Sequence, residues 1–293
     1  LGVFFAIIAL CANFFCGYLL VADNLAGIFL TGAYILLFFA LFKNKILSTS
    51  TVYFISLLCF LTLLTSYTYI FVVLFTYIFI FISYLSKAEN RAGKRLFKVS
   101  FGVLTPYILY GGYLLFTGSW SDFYFQTVIF NKNYYVYGEA AKAKNIFDLG
   151  YLLMIKILLK YKDLIFSFNQ FNLQFPFMPT LLLSNTVLWL YLILTKRIRL
   201  FLFTFLSTLY TNSRNEPFSP GILDFHSSPY VFVSLFNGVF VLFNLWSLIK
   251  LRINLLIKTL FWAVSFLLIV YSISYVRFFY NRWLWIVQDI FNS

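Results

Sequence analysis

Charge is scarce in this sequence. Only 11% of the 293 residues are charged, and 62% are hydrophobic. Soluble domains carry about 25% charged residues and about 45–50% apolar ones. The excess of apolar residues is far too large for one buried core, which excludes an ordinary water-soluble domain. Histidine occurs once and cysteine three times, at Cys11, Cys16 and Cys59, all inside apolar runs. That leaves no disulfide framework and no His/Cys metal spacing. No acidic residue stands in the middle of an apolar run, which argues against a proton-coupled pump. Walker A, GxGxxG, HExxH and Ser–His–Asp patterns are missing. No Gly/Ser linker and no internal repeat divides the chain, so 1–293 reads as a single transmembrane domain. No basic segment precedes the first apolar run, so that run is not a signal peptide. Leu1 opens directly into LGVFFAIIALCANFFCGYLL, and the chain is expected to begin inside a transmembrane helix, truncated at its N-terminus.

What is present is apolar sequence in blocks. The blocks span 1–20, 25–42, 52–64, 67–86, 98–116, 177–195, 200–211, 229–249 and 255–276. They predict an all-α, polytopic helical bundle with about nine spans, with lipid as its main solvent. Residues 52–86 are too long for one crossing. At 1.5 Å per residue they would reach about 52 Å, against a hydrocarbon core of about 30 Å. A tight hairpin near Thr65–Thr68 is therefore expected. The 200–211 stretch is short and needs shielding by its neighbours.

The basic residues test this topology. The loops at 43–51, 87–97, 196–199 and 250–258, with Lys98 just beyond the second, hold 13 Lys and Arg and a single acid, Glu89. The other side holds nine basic residues and eight acids. The net charges, +12 and +1, form a strong positive-inside asymmetry that puts the four basic loops in the cytoplasm. The total of +13 is thus a topology signal rather than a nucleic-acid footprint, because the cations form no soluble basic face.

Polar residues gather on the predicted outer side. Asp23 and Asn24 form the first outer turn, where an Asp ordinarily satisfies backbone donors at a helix start. The long outer segment 117–176 contains GSWSDFYFQTVIFNKNYYVY, in which Asn131 and Lys132 with neighbouring tyrosines could contact a sugar, or else form an aromatic interfacial edge. Within the same segment, 149–168 reads as an amphipathic surface helix. The tail 277–293, with Trp283 and Trp285, is placed outside at the interface. The densest cluster is the outer loop 212–228, NSRNEPFSPGILDFHSS, with Arg214, Glu216, Asp224 and His226 beside Tyr230. Arg can grip a phosphate through a forked pair of charge-assisted hydrogen bonds, and His can position or neutralise it. A rigid polar loop at the membrane edge suits an anionic ligand whose tail stays in lipid. The other reading is internal: Arg214 pairs with Glu216 or Asp224, and His226 caps the next helix.

The paired short hairpins ANFFCGYLLVADNLAGIFLTGAYILLFF and LCFLTLLTSYTYIFVVLFTYIFIF, the run GGYLLFTGSWSDFYFQTVIFNKNYY, and DFHSSPYVF after a basic residue together resemble the GT-C superfamily. These are multi-spanning glycosyltransferases that use polyprenyl-phosphate-linked sugars, such as protein mannosyltransferases and aminoarabinose transferases. The resemblance covers most of the chain and rests on arrangement more than on identities. It implies transfer of a sugar from a polyprenyl phosphate to an acceptor on the extracytoplasmic face of a bacterial or archaeal plasma membrane. Arg214, His226 and Lys132 would hold the donor phosphate, and Asn131, Asp224 and Tyr230 would contact substrate. The resemblance implies no particular cofactor, and a divalent metal is compatible with the scheme. Family members carry a catalytic Asp in a large first outer loop. This sequence lacks that loop, so the resemblance implies an inactive fragment whose catalytic Asp lies upstream of Leu1. Two readings compete. A polysaccharide polymerase or ligase usually has a larger loop with several arginines. A transporter or flippase should show polar or broken helices at mid-membrane.

Overall fold

The structure is a computed structural model that describes residues 22–85, 92–125, 177–211 and 228–249, with isolated positions between 129 and 159. Every regular element among them is helical. The helices are α1 (Ala22–Phe42), α2 (Thr49–Thr65), α3 (Ile70–Leu85, entered through a 3-10 turn at Tyr67–Tyr69), α4 (Ala92–Phe116), the short α5 (Trp120–Tyr124), α6 (Phe177–Leu194), α7 (Ile198–Tyr210) and α8 (Ser228–Ile249). Seven of the nine apolar blocks coincide with these helices. The blocks 1–20 and 255–276 and the tail 277–293 lie outside the described residues. Among the described residues, three helical stretches are long and apolar enough to cross a membrane: Leu25–Phe42, Tyr67–Leu85 and Leu96–Phe116. Four shorter apolar helices pack with them.

The expected break inside 52–86 falls at Ser66, whose extended backbone (φ −160°, ψ 116°) ends α2. The local cause is a run of hydroxyls. Thr62 and Thr65 donate back to the carbonyls of Leu58 and Leu61 at 2.9 and 3.1 Å, and such back-bonding weakens a helix. Ser56 and Tyr77, ten residues before the break and eleven after it, meet at 3.2 Å. Hence α2 and α3 run antiparallel. Three other helix ends share one solution. Asn44, Gly118 and Lys196 have φ of 50°, 68° and 56°, and the following residues Lys45, Ser119 and Arg197 donate to Ala40, Leu114 and Leu192. This is the Schellman closure, which caps orphan carbonyls with a left-handed residue.

Packing fixes the remaining directions. Gly32 touches Leu58, so α1 and α2 form an antiparallel hairpin. Helices α1 and α8 run parallel, with Gly27 against Phe232, Tyr34 against Phe236 and Phe38 against Phe240. A Cβ on Gly27 would come within 2.9 Å of the Phe232 ring, so only glycine permits this approach. Phe71 and Phe75 flank Tyr210 while Phe79 meets Phe203, which sets α3 antiparallel to α7. Helix α7 is short but shielded: Leu200, Phe203, Thr204, Ser207, Thr208, Leu209 and Tyr210 are all buried. Helix α4 is peripheral and lies parallel to α2. Its internal Pro106 cannot donate to the preceding turn. Ser56 Oγ donates across to the Val103 carbonyl at 2.6 Å and ties α2 to α4.

These directions bring the α1–α2 turn, the start of α4 and the α6–α7 turn to one end of the bundle. The described basic residues, Lys43, Lys45, Lys94, Arg95, Lys98, Lys196, Arg197 and Arg199, all belong to this end. The described acids, Asp23, Asp122 and Asp148, belong to the other. Gly150, two residues past Asp148, packs on Phe71 and accepts from Tyr210 Oη at 3.0 Å, which anchors that segment to the acidic end. The rest of the predicted surface helix 149–168 is described only at isolated positions, and Met154 within it packs against the bundle core.

Candidate functional site

The polar loop predicted as the site begins after Thr211, at the end of α7, and returns at Ser228, the start of α8. Both anchors lie at the acidic end. Arg214, Asp224 and His226 sit between them and lie outside the described residues, as do Asn131 and Lys132. Asp23 falls in the first turn of α1, and its side chain is likewise outside the described set. Tyr230 is described. It lies in the first turn of α8, fully buried, with its hydroxyl 3.4 Å from Asn185 Nδ2. Pro229 precedes it, where a missing N–H leaves no helical bond unmade.

Beneath these anchors lies a network of neutral polar side chains. Tyr34 Oη on α1 donates to Asn237 Oδ1 on α8 at 2.8 Å. Asn237 Nδ2 donates to Asn185 Oδ1 on α6 at 2.9 Å and approaches Thr208 Oγ1 on α7 at 3.4 Å. Asn185 Nδ2 donates to Ser234 Oγ on α8 at 2.9 Å and points at Tyr230. Both amides are fully buried. Each uses its carbonyl and its NH2 group on protein partners, so the network satisfies itself and binds four helices together. Chemically it supplies position rather than charge. Gly238, next to Asn237, permits the close α6–α8 contact, since a Cβ there would lie 2.9 Å from Ser184 Oγ.

The second feature at the acidic end is an aromatic cleft between α2 and α4, closed by α5. It holds about 230 Å³ and is lined by Phe60, Leu63, Leu64, Tyr67, Tyr107, Tyr110, Gly111, Leu114, Trp120 and Phe123. Its polar edge is a hydroxyl chain: Tyr107 Oη meets Tyr77 Oη at 2.7 Å, and Tyr77 reaches Ser56. Cys59 nearby is free and buried. No group of three His, Cys, Asp or Glu side chains that could hold a metal ion gathers among the described residues.

Sequence reading passed over the amide network. Asn185 in LLLSNTVLWL and Asn237 in SLFNGVF were the available signals, because a lone amide inside an apolar run has no partner in lipid and must find one across a helix interface. No family model, curated protein or solved structure matches this chain.

Proposed function

We propose that this chain is a multi-pass integral membrane protein of about nine spans, with a GT-C-like arrangement, belonging to a glycosyltransferase that takes its sugar from a polyprenyl phosphate. Its basic end faces the cytoplasm and its polar loops face the outside of a bacterial or archaeal plasma membrane. The observation that supports this reading is the one-sided polarity of the bundle: described acids, the anchors of the 212–227 loop and the aromatic cleft share one end. Chemistry on a lipid-tethered donor needs such a face, with the isoprenoid tail in the bilayer and the phosphate at the rim. In this scheme the acceptor attacks the sugar C1 and the lipid phosphate leaves with the bonding electrons. Arg214 and His226 offset the charge that develops on that phosphate, with help from Lys132. Asn131 and Asp224 contact the sugar. Tyr230 acts from below by fixing the first turn of α8.

Binding is the direct test, because it needs no catalytic carboxylate. In nanodiscs, polyprenyl phosphate is expected to bind more tightly than the uncharged polyprenol. Arg214→Ala and His226→Ala should each weaken phosphate binding by about tenfold or more, the scale of a charge-assisted hydrogen bond. Equal binding of the two lipids sinks the reading. Flipping of the lipid across a liposome bilayer by the same protein would favour the transporter alternative. That alternative draws on the buried Asn185 and Asn237, but their amides are already bonded to protein.

A further inference from the structure

The basic end carries a feature that the proposed transfer chemistry does not use. Arg197, between α6 and α7, reaches across to α1. Its Nη1 donates to the Phe42 carbonyl at 2.7 Å, and its guanidinium lies 4.1 Å above the Phe42 ring. The cation is therefore spent on clasping two interhelical turns, Phe42–Lys45 and Thr195–Arg199. The clasp brings together Lys43, Lys45, Lys196 and Arg199, all exposed. No described acid lies at this end of the bundle.

Depth decides what these cations meet. The apolar span of α1, Leu25–Phe42, is 18 residues long. At 1.5 Å per residue it covers about 27 Å, close to the hydrocarbon thickness of about 30 Å. Lys43 and Lys45 follow at once, at the level of the lipid phosphates. Helix-end electrostatics account for part of the cluster: Lys43 and Lys196 follow helix C-termini, where a cation is favoured. They do not account for Arg199, which stands in the first turn of α7, where the helix dipole opposes it.

We propose that the turns clasped by Arg197 form a headgroup site for an anionic phospholipid, with Lys43, Lys45, Lys196 and Arg199 around its phosphate. Basic pockets between helices at this level are suited to such headgroups. The site stands apart from the sugar-transfer reading, since it lies at the opposite end of the bundle.

The test is native mass spectrometry of protein released from nanodiscs of phosphatidylglycerol and phosphatidylcholine in equal amounts. The wild-type protein should retain phosphatidylglycerol preferentially. Lys45→Gln and Arg199→Gln should each reduce that preference by about fivefold, whereas Lys45→Arg should keep it. Single substitutions at exposed positions leave the clasp in place, so loss of the fold does not cloud the reading. Soluble glycerol phosphate at millimolar concentration should not displace the lipid; displacement would mean that a free anion is the ligand and would overturn the proposal. Absence of preference in the wild-type protein, or an unchanged preference in both glutamine variants, would overturn it as well.

Discussion

Two regions of the bundle solve the same problem with different chemistry. Helices α1, α6, α7 and α8 meet around two amides, whereas α2, α3 and α4 are joined by a chain of hydroxyls from Ser56 through Tyr77 to Tyr107. An amide offers two donors and a two-lone-pair acceptor on one planar group, so it branches; a hydroxyl offers one donor and tends to form a line. Asn237 accordingly touches α1, α6 and α7 at once. The hydroxyl chain passes from one helix to the next, and its far member belongs to the peripheral α4.

If branching matters, Asn237→Leu should be the most damaging change. It removes three bonds, to Tyr34, Asn185 and Thr208, and at roughly 0.6 kcal/mol per interhelical bond in a membrane the loss is about 2 kcal/mol. Denaturant-induced unfolding in mixed micelles checks this. The double variant Asn185→Leu with Asn237→Leu should lose less than the sum of the single losses, because the two amides act as a unit. Next comes Gly238→Ala, which forces Ser184 aside and should destabilise by about 1 kcal/mol in the same assay. The smallest effect belongs to the linear chain. Tyr107→Phe removes a terminal link, and about 0.6 kcal/mol is expected. A Tyr107→Phe loss as large as that of Asn237→Leu would erase the distinction between the two regions.

The sequence announced some of this and concealed the rest, for physical reasons. Helix positions were legible because apolar runs have lengths that a bilayer constrains, and the break at Ser66 followed from the impossibility of one 35-residue crossing. Which face of each helix turns inward was not legible. In a bundle where both the lipid side and the core side are apolar, the periodic contrast that marks a water-facing helix is weak. Leu37 and Ile28, both on α1, show it: the first is buried and the second half exposed. The closure at Lys196 was equally hidden, since lysine seldom takes the left-handed conformation that Gly118 and Asn44 enter readily. For the candidate site, only the flanking ends are described: Thr211 closes α7 and Ser228 opens α8, with Arg214 and His226 between them in sequence. Chain order could not foretell that Tyr230 would sit inside the bundle beside Asn185, because that contact joins residues 45 positions apart.

The break at Ser66 also bears on how the chain would enter a bilayer. Helix α2 has 17 residues, a reach of about 25 Å, which makes it a weak candidate to stop in the membrane by itself. The tip that joins it to α3 carries no charge, and its polar groups are already occupied: Ser66 N–H is bonded to Thr62, and the Ser66 and Thr68 hydroxyls lie 2.8 Å apart. A tip of this kind exposes little that must be stripped of water. The two arms can therefore pass from the insertion machinery into lipid together, as one preformed pin, with the lysines at positions 43 and 45 left behind as its stop.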